Sequence, residues 1–146
     1  MAYCTQADLE AVIGAERLSQ LTDFEKTDPG YINATRVTAA CEAAASMIDS
    51  YAAKHYTVPF PTPSDAIKRI AVRLAIYDLI QGSPVGPTPE QIAEQDARMK
   101  WLESLANHKV TPGTTPSPTP HTMVVDKAYD RPSTKAVGRE KTKGFW

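Results

Sequence analysis

The segment Thr57-Val58-Pro59-Phe60-Pro61-Thr62-Pro63 constrains this chain more than any other. A proline at every second position fixes φ, removes backbone donors and pushes each preceding residue toward extended geometry, so the segment cannot be helix. Helical patterns flank it on both sides. The stretch from Ala45 to Leu79 therefore reads as helix, elbow, helix, and each helix carries an apolar stripe that needs a covering partner. Val58 and Phe60 are the elbow residues able to pin it to a core.

Asn33 is placed to cap the helix before the elbow, which runs to about His55. Val37, Cys41, Ala44, Ile48, Tyr51 and His55 recur at helical spacing along one side of it. Seven alanines between Ala39 and Ala53 keep that helix small-sided, which favours helix and lets neighbours approach closely. After the elbow, Ser64 caps a helix that Asp65 stabilises at its positive end. Ile67, Ile70, Ala71, Leu74, Tyr77 and Asp78 follow its period, and Gly82 ends it.

The flanking elements are also helical. Thr5 caps a short helix with Asp8 at its third position, Leu9, Val12 and Ile13 form its apolar side, and Gly14 breaks it. Leu18 and Leu21 continue as a further short turn before the turn signal Asp28-Pro29-Gly30. Thr88-Pro89-Glu90-Gln91 is the best helix start in the chain: a cap, proline at the first position and Gln at the third. That helix runs to about Leu105, with Ile92, Met99, Leu102, Leu105 and Ala106 inward, Trp101 at the flank, and Asn107 and His108 at its end. The fold class expected is all-α, a small helical bundle of about four helices with an extended C-terminal tail.

Length and charge divide the chain in two. At 146 residues it has material for one modest core, assigned to a helical body over 1–109. Residues 110–146 form a Pro/Thr-rich spacer and a basic arm. The spacer, TPGTTPSPTP, holds four prolines and four threonines and reads as extended and non-packing. At about 3 Å per residue it would carry the arm roughly 30 Å outward. From His121 onward six basic residues face three acidic ones, giving +3 and leaving −4 for residues 1–120. The composition of this tail predicts disorder in the free protein and ordering on contact. Met123, Val124 and Val125 form an apolar patch suited to a partner's sheet edge. Arg139, Phe145 and Trp146 suit an anchor, because exposed aromatics are costly in water and common at the centre of interfaces.

Several function classes find little support. The first twenty residues lack a basic start followed by an apolar run, so no secretory signal is expected, and no stretch is apolar enough to span a membrane. Cys4 and Cys41 lie far apart without CxxC spacing and read as free thiols of a reducing compartment. Asn33-Ala34-Thr35 matches a glycosylation sequon but serves better as a helix start. His55, His108 and His121 fall in different elements, none with a second His or a carboxylate at ligand spacing, so no metal or cofactor is expected. His55 reads as a core or rim histidine, and Asp49 and Asp78 as paired or capping carboxylates, which leaves catalysis without a constellation. Lys68, Arg69 and Arg73 make one basic helix face that, with the arm, supports an alternative reading as a small DNA-binding accessory protein.

In their order, several stretches resemble the Mu-like phage head–tail connector (adaptor) family. Thr5 to Gly14 and Leu18 to Asp23 are similar to its opening helix and "LxxLTD" end. Ile48-Asp49-Ser50-Tyr51 through His55-Tyr56 and Val58-Pro59 resembles its "IDxYLxxRYxxP" signature, with His55 standing where Arg is usual. Ile67 to Leu79 resembles "LxRxAxxxAxYxL", Trp101-Leu102 sits where the last helix carries "WL", and Arg139 to Phe145 is similar to the closing "SRDxLxGF". Val137-Gly138 replaces an aromatic-Ser pair before Arg139, and the spacer is richer in Thr and Pro than usual. The resemblance implies a non-enzymatic virion protein of the neck, made in the host cytoplasm. It implies a homo-oligomer, a dodecameric ring seated on the portal protein and joined to a downstream neck or tail-completion protein. DNA would pass through the lumen without specific binding, which an acidic body suits, and no membrane is involved.

Overall fold

The computed structural model describes residues 2–25 and 28–113. Among them lie five helices and no strand: α1 Gln6–Ile13, α2 Ala15–Thr22, α3 Ala34–Ala52, α4 Asp65–Gln81 and α5 Pro89–Ala106. The body is all-α. The fifth helix arises because the turn expected around Leu18 and Leu21 is a helix in its own right. Gly14, at φ 84°, ends α1 and starts α2 with one residue, a conformation that side chains with a Cβ rarely adopt.

Local chemistry sets the helix starts. Thr5 and Asp8 form a capping box, with the Thr5 N–H donating to the Asp8 carboxylate at 2.8 Å. Asn33 Oδ1 accepts from the Thr35 and Arg36 amides at 3.1 and 3.2 Å. Ser64 Oγ accepts from the Ile67 amide at 3.4 Å, and Thr88 and Gln91 form a second capping box. Each cap satisfies amides that the first helical turn leaves without partners.

The core is built around α4. It packs most extensively on α3 and also touches α1, α2 and α5. Burial on α4 therefore exceeds the single stripe its sequence suggests: Ile67, Ala71, Val72, Leu74, Ala75, Ile76, Leu79 and Ile80 are all buried, whereas Tyr77 is half-buried and Asp78 exposed. On α3 the buried set is Val37, Ala40, Cys41, Ala44, Ala45, Ile48 and Ala52. Alanines at the interface allow close approach of α3 to α4, and Ile48, wholly buried, contributes about 2 kcal/mol of hydrophobic stabilisation.

The elbow is held from the N-terminal segment. Phe60 is buried, and Val58 packs on the core. The Tyr3 hydroxyl, itself in the core, donates to the Asp49 carboxylate and accepts from the Phe60 amide at 2.9 Å. One phenol thus ties the chain start, α3 and the elbow together. Tyr3 and Tyr56 both set their rings against Phe60, at centroid distances of 5.9 and 6.1 Å. A second polar joint links α2 to α3. The buried Thr22 hydroxyl donates to the Leu18 carbonyl at 2.8 Å and accepts from the Asn33 amide at 3.2 Å.

Three expectations need correction. Helix α3 ends at Ala52 rather than near His55, which sits half-exposed in the following turn; the chain must leave the helix there to enter the elbow. Ile92 is 43% exposed rather than inward, because only the second half of α5, through Leu102 and Leu105, reaches the core. Cys4 and Cys41 are buried free thiols, as expected, and packing brings them together: the neighbouring Cys41 thiol, followed by burial, pushes the Cys4 thiol up. Finally, packing continues past 109. Pro112 is fully buried and its carbonyl accepts from the Ser64 hydroxyl, so the first residues of the expected spacer belong to the body. The chain divides into the unit Met1–Pro116 and a second, Ser117–Trp146, which lies outside the described residues.

Candidate functional site

A basic groove runs along α4. One recess of about 140 Å³ has an apolar floor of Ile13, Leu21, Ile76 and Ile80, edged by Arg17, Arg73 and Arg98. A second, of about 460 Å³, has Val12 and Val72 as its floor and Lys68, Arg69 and Arg73 at its rim, with Asp8 opposite. Arg73 lines both, so the two recesses share a cationic wall along the groove.

The five cations come from three helices. Lys68, Arg69 and Arg73 follow from the spacing on α4, where all three are exposed. Arg17 comes from α2 and bonds Gln20 at 3.3 Å. Arg98 comes from α5, where its 15% exposed side chain pairs with Glu94 at 2.8 Å. That i,i+4 pair orients the guanidinium along the groove wall more than it adds stability, since its carboxylate is well solvated. Five of the ten basic residues in 1–120 line this groove. They face two carboxylates, Asp8 and Glu94. Among the described residues, Lys68, Arg69 and Arg73 take part in no ion pair.

An apolar floor under a cationic rim suits a partner that offers apolar side chains flanked by carboxylates. Apolar burial would supply affinity, and the charges would supply register and association rate. The basic face of α4 was legible from spacing. Arg17 and Arg98 were not, because only the packing of α2 and α5 against α4 turns them toward it.

The other residues weighed from sequence fall elsewhere. Asp49 is engaged by Tyr3, and burial followed by the bond to Asp49 pushes the Tyr3 phenol up to about 12. Asp78 lines a separate small cleft with Ala43, Met47 and Gln95. His55 and His108, assigned to different elements, are brought together with ring centroids 3.9 Å apart and planes inclined by 42°. No cluster of three or more His, Cys, Asp or Glu able to hold a metal occurs among the described residues, and no helix there is long and apolar enough to cross a membrane. His121 and the proposed anchor residues Met123, Val124, Val125, Arg139, Phe145 and Trp146 lie outside the described residues.

Fold and site together define a small all-α body whose surface carries a charged groove. The chain belongs to the bacteriophage Mu Gp36 family, whose model matches residues 3–126. The match takes in all five helices, the elbow and Met123–Val125. Arg139–Phe145, which the sequence resemblance included, lie beyond it. No curated protein matches the sequence.

Proposed function

We propose that the protein is a virion structural component, a head–tail connector that assembles as a ring on the portal and joins the capsid to the tail. Membership of the bacteriophage Mu Gp36 family over residues 3–126 carries this reading. The acidic balance of residues 1–120 suits a lumen through which DNA slides without being held. The role is adhesive, without turnover, cofactor or membrane. The weak contacts of one subunit are multiplied by repetition around the ring. Residues beyond Gly113 supply reach, with Met123–Val125 and Arg139, Phe145 and Trp146 contacting the portal, a neighbouring subunit or a tail-completion protein. The virion neck is the site of action, and the host cytoplasm the site of assembly.

Electron microscopy of particles made without this protein tests the reading. DNA-filled heads and finished tails should accumulate unjoined, and adding the protein back should restore a ring of density at the neck. Joined particles lacking it would refute the connector role. The clustering of five cations in one groove favours a second reading, a DNA-binding accessory protein. Its signature would be sub-micromolar binding to duplex DNA with a steep salt dependence.

A further inference from the structure

The first half of helix α5 meets the body only through polar side chains, which its sequence does not announce. No residue of its first half, Pro89–Arg98, is buried. Ile92 is 43% exposed, and Val85, in the loop just before the helix, is 93% exposed. Ile92, Asp96, Met99 and Glu103 recur at helical spacing and so share one flank. Asp96 and Glu103 are exposed, and Met99 is half-buried. This ridge alternates apolar and acidic side chains. The groove offers the opposite: Val12 and Val72 below, Lys68, Arg69 and Arg73 above.

We propose that the basic groove receives the α5 ridge of a second copy of this chain. Ile92 and Val85 of one copy cover the exposed Val12 of the next, above the buried Val72, while Asp96 and Glu103 meet the cationic rim. The proposal rests on the ring reading above and names its subunit contact. Charge selects the occupant. The segment from His121 onward carries +3 and is repelled by the same rim. DNA would satisfy the cations and leave the exposed Val12 uncovered. The groove uses Gln91, Glu94 and Arg98 of α5, whereas the ridge uses Ile92, Asp96, Met99 and Glu103. The two surfaces therefore do not overlap, and each copy can give one contact and take another. Such head-to-tail contacts close into rings or run on as filaments.

A charge exchange on the full chain tests this, read by sedimentation velocity across protein concentration and salt. Arg69→Glu with Arg73→Glu reverses the groove, and Asp96→Lys with Glu103→Lys reverses the ridge. All four residues are exposed, so circular dichroism should show the fold retained. Each variant alone is expected to self-associate at least about tenfold more weakly than the parent, since like charges then face each other. An equimolar mixture should recover association, because reversed groove then meets reversed ridge. Variants that assemble as the parent does would overturn this contact and leave the ring reading standing. A parent that stays monomeric at every concentration would overturn this contact as a driver of assembly and leave standing a ring that forms only on the portal. Loss of salt-steep duplex DNA binding in the groove variant, with self-association unchanged, would overturn the contact in favour of DNA.

Discussion

The α3–α4 pair and the first half of α5 are both regular helix with good caps, yet they serve opposite purposes. Between α3 and α4, alanines and Ile48 close the interface, and the Tyr3 hydroxyl locks the elbow that connects them. In the first half of α5 nothing is buried, and its apolar residues face outward beside carboxylates. Helical form alone therefore says little about role. Where burial is complete a helix contributes stability, and where it is absent the same amphipathic chemistry remains available for recognition.

The comparison is most sharply broken at Ile48. Ile48→Ala should lower stability by about 3 kcal/mol in urea unfolding, through lost burial and the cavity left behind. A loss below about 1 kcal/mol would mean that the α3–α4 interface is loosely packed. Tyr3→Phe comes next, at about 2 kcal/mol, because it leaves the Phe60 amide and Asp49 without their shared partner. This substitution also carries a pH signature. The Tyr3 phenol is raised from 10.0 to about 12 in the folded state, so its contribution is complete below pH 10 and is lost as pH rises toward 12. The difference in stability between parent and Tyr3→Phe should shrink across that window, and a constant difference would contradict the assignment.

Ending the chain after Lys109 should cost about 1.5 kcal/mol, through loss of buried Pro112 and of the bond from Ser64. Ending it after Gly113 should leave the thermal unfolding of the body unchanged. Equal behaviour of the two truncations would return the body's limit to residue 109. The smallest effect belongs to Ile92→Ala, expected within about 0.5 kcal/mol of the parent in monomer unfolding. Set beside Ile48→Ala, it is the direct measure of how differently the two regions are used.

Much of the fold was legible in advance because it is local. Thr5, Asn33, Ser64 and Thr88 cap the helices they were expected to cap, Gly14 and Gly82 end theirs, and Phe60 pins the elbow. The site was half legible. Lys68, Arg69 and Arg73 share a face by helical spacing, but Arg17 and Arg98 join them only through packing. The inward assignment of Ile92 failed for a related reason: periodicity shows that a side of a helix is apolar, not how far along its length a neighbour extends.

The sequence by itself determined four of the five helices and their caps, the elbow and membership of a phage family, because each depends on residues close together in the chain or on their order. Only the tertiary structure decided that Cys4 would meet Cys41, that Tyr3 would bridge Asp49 and Phe60, and that Pro112 would belong to the body. It alone gathered arginines from three helices over one apolar floor. Those pairings join segments tens of residues apart, and what selects them is the burial of shared apolar surface, which has no signature in local spacing.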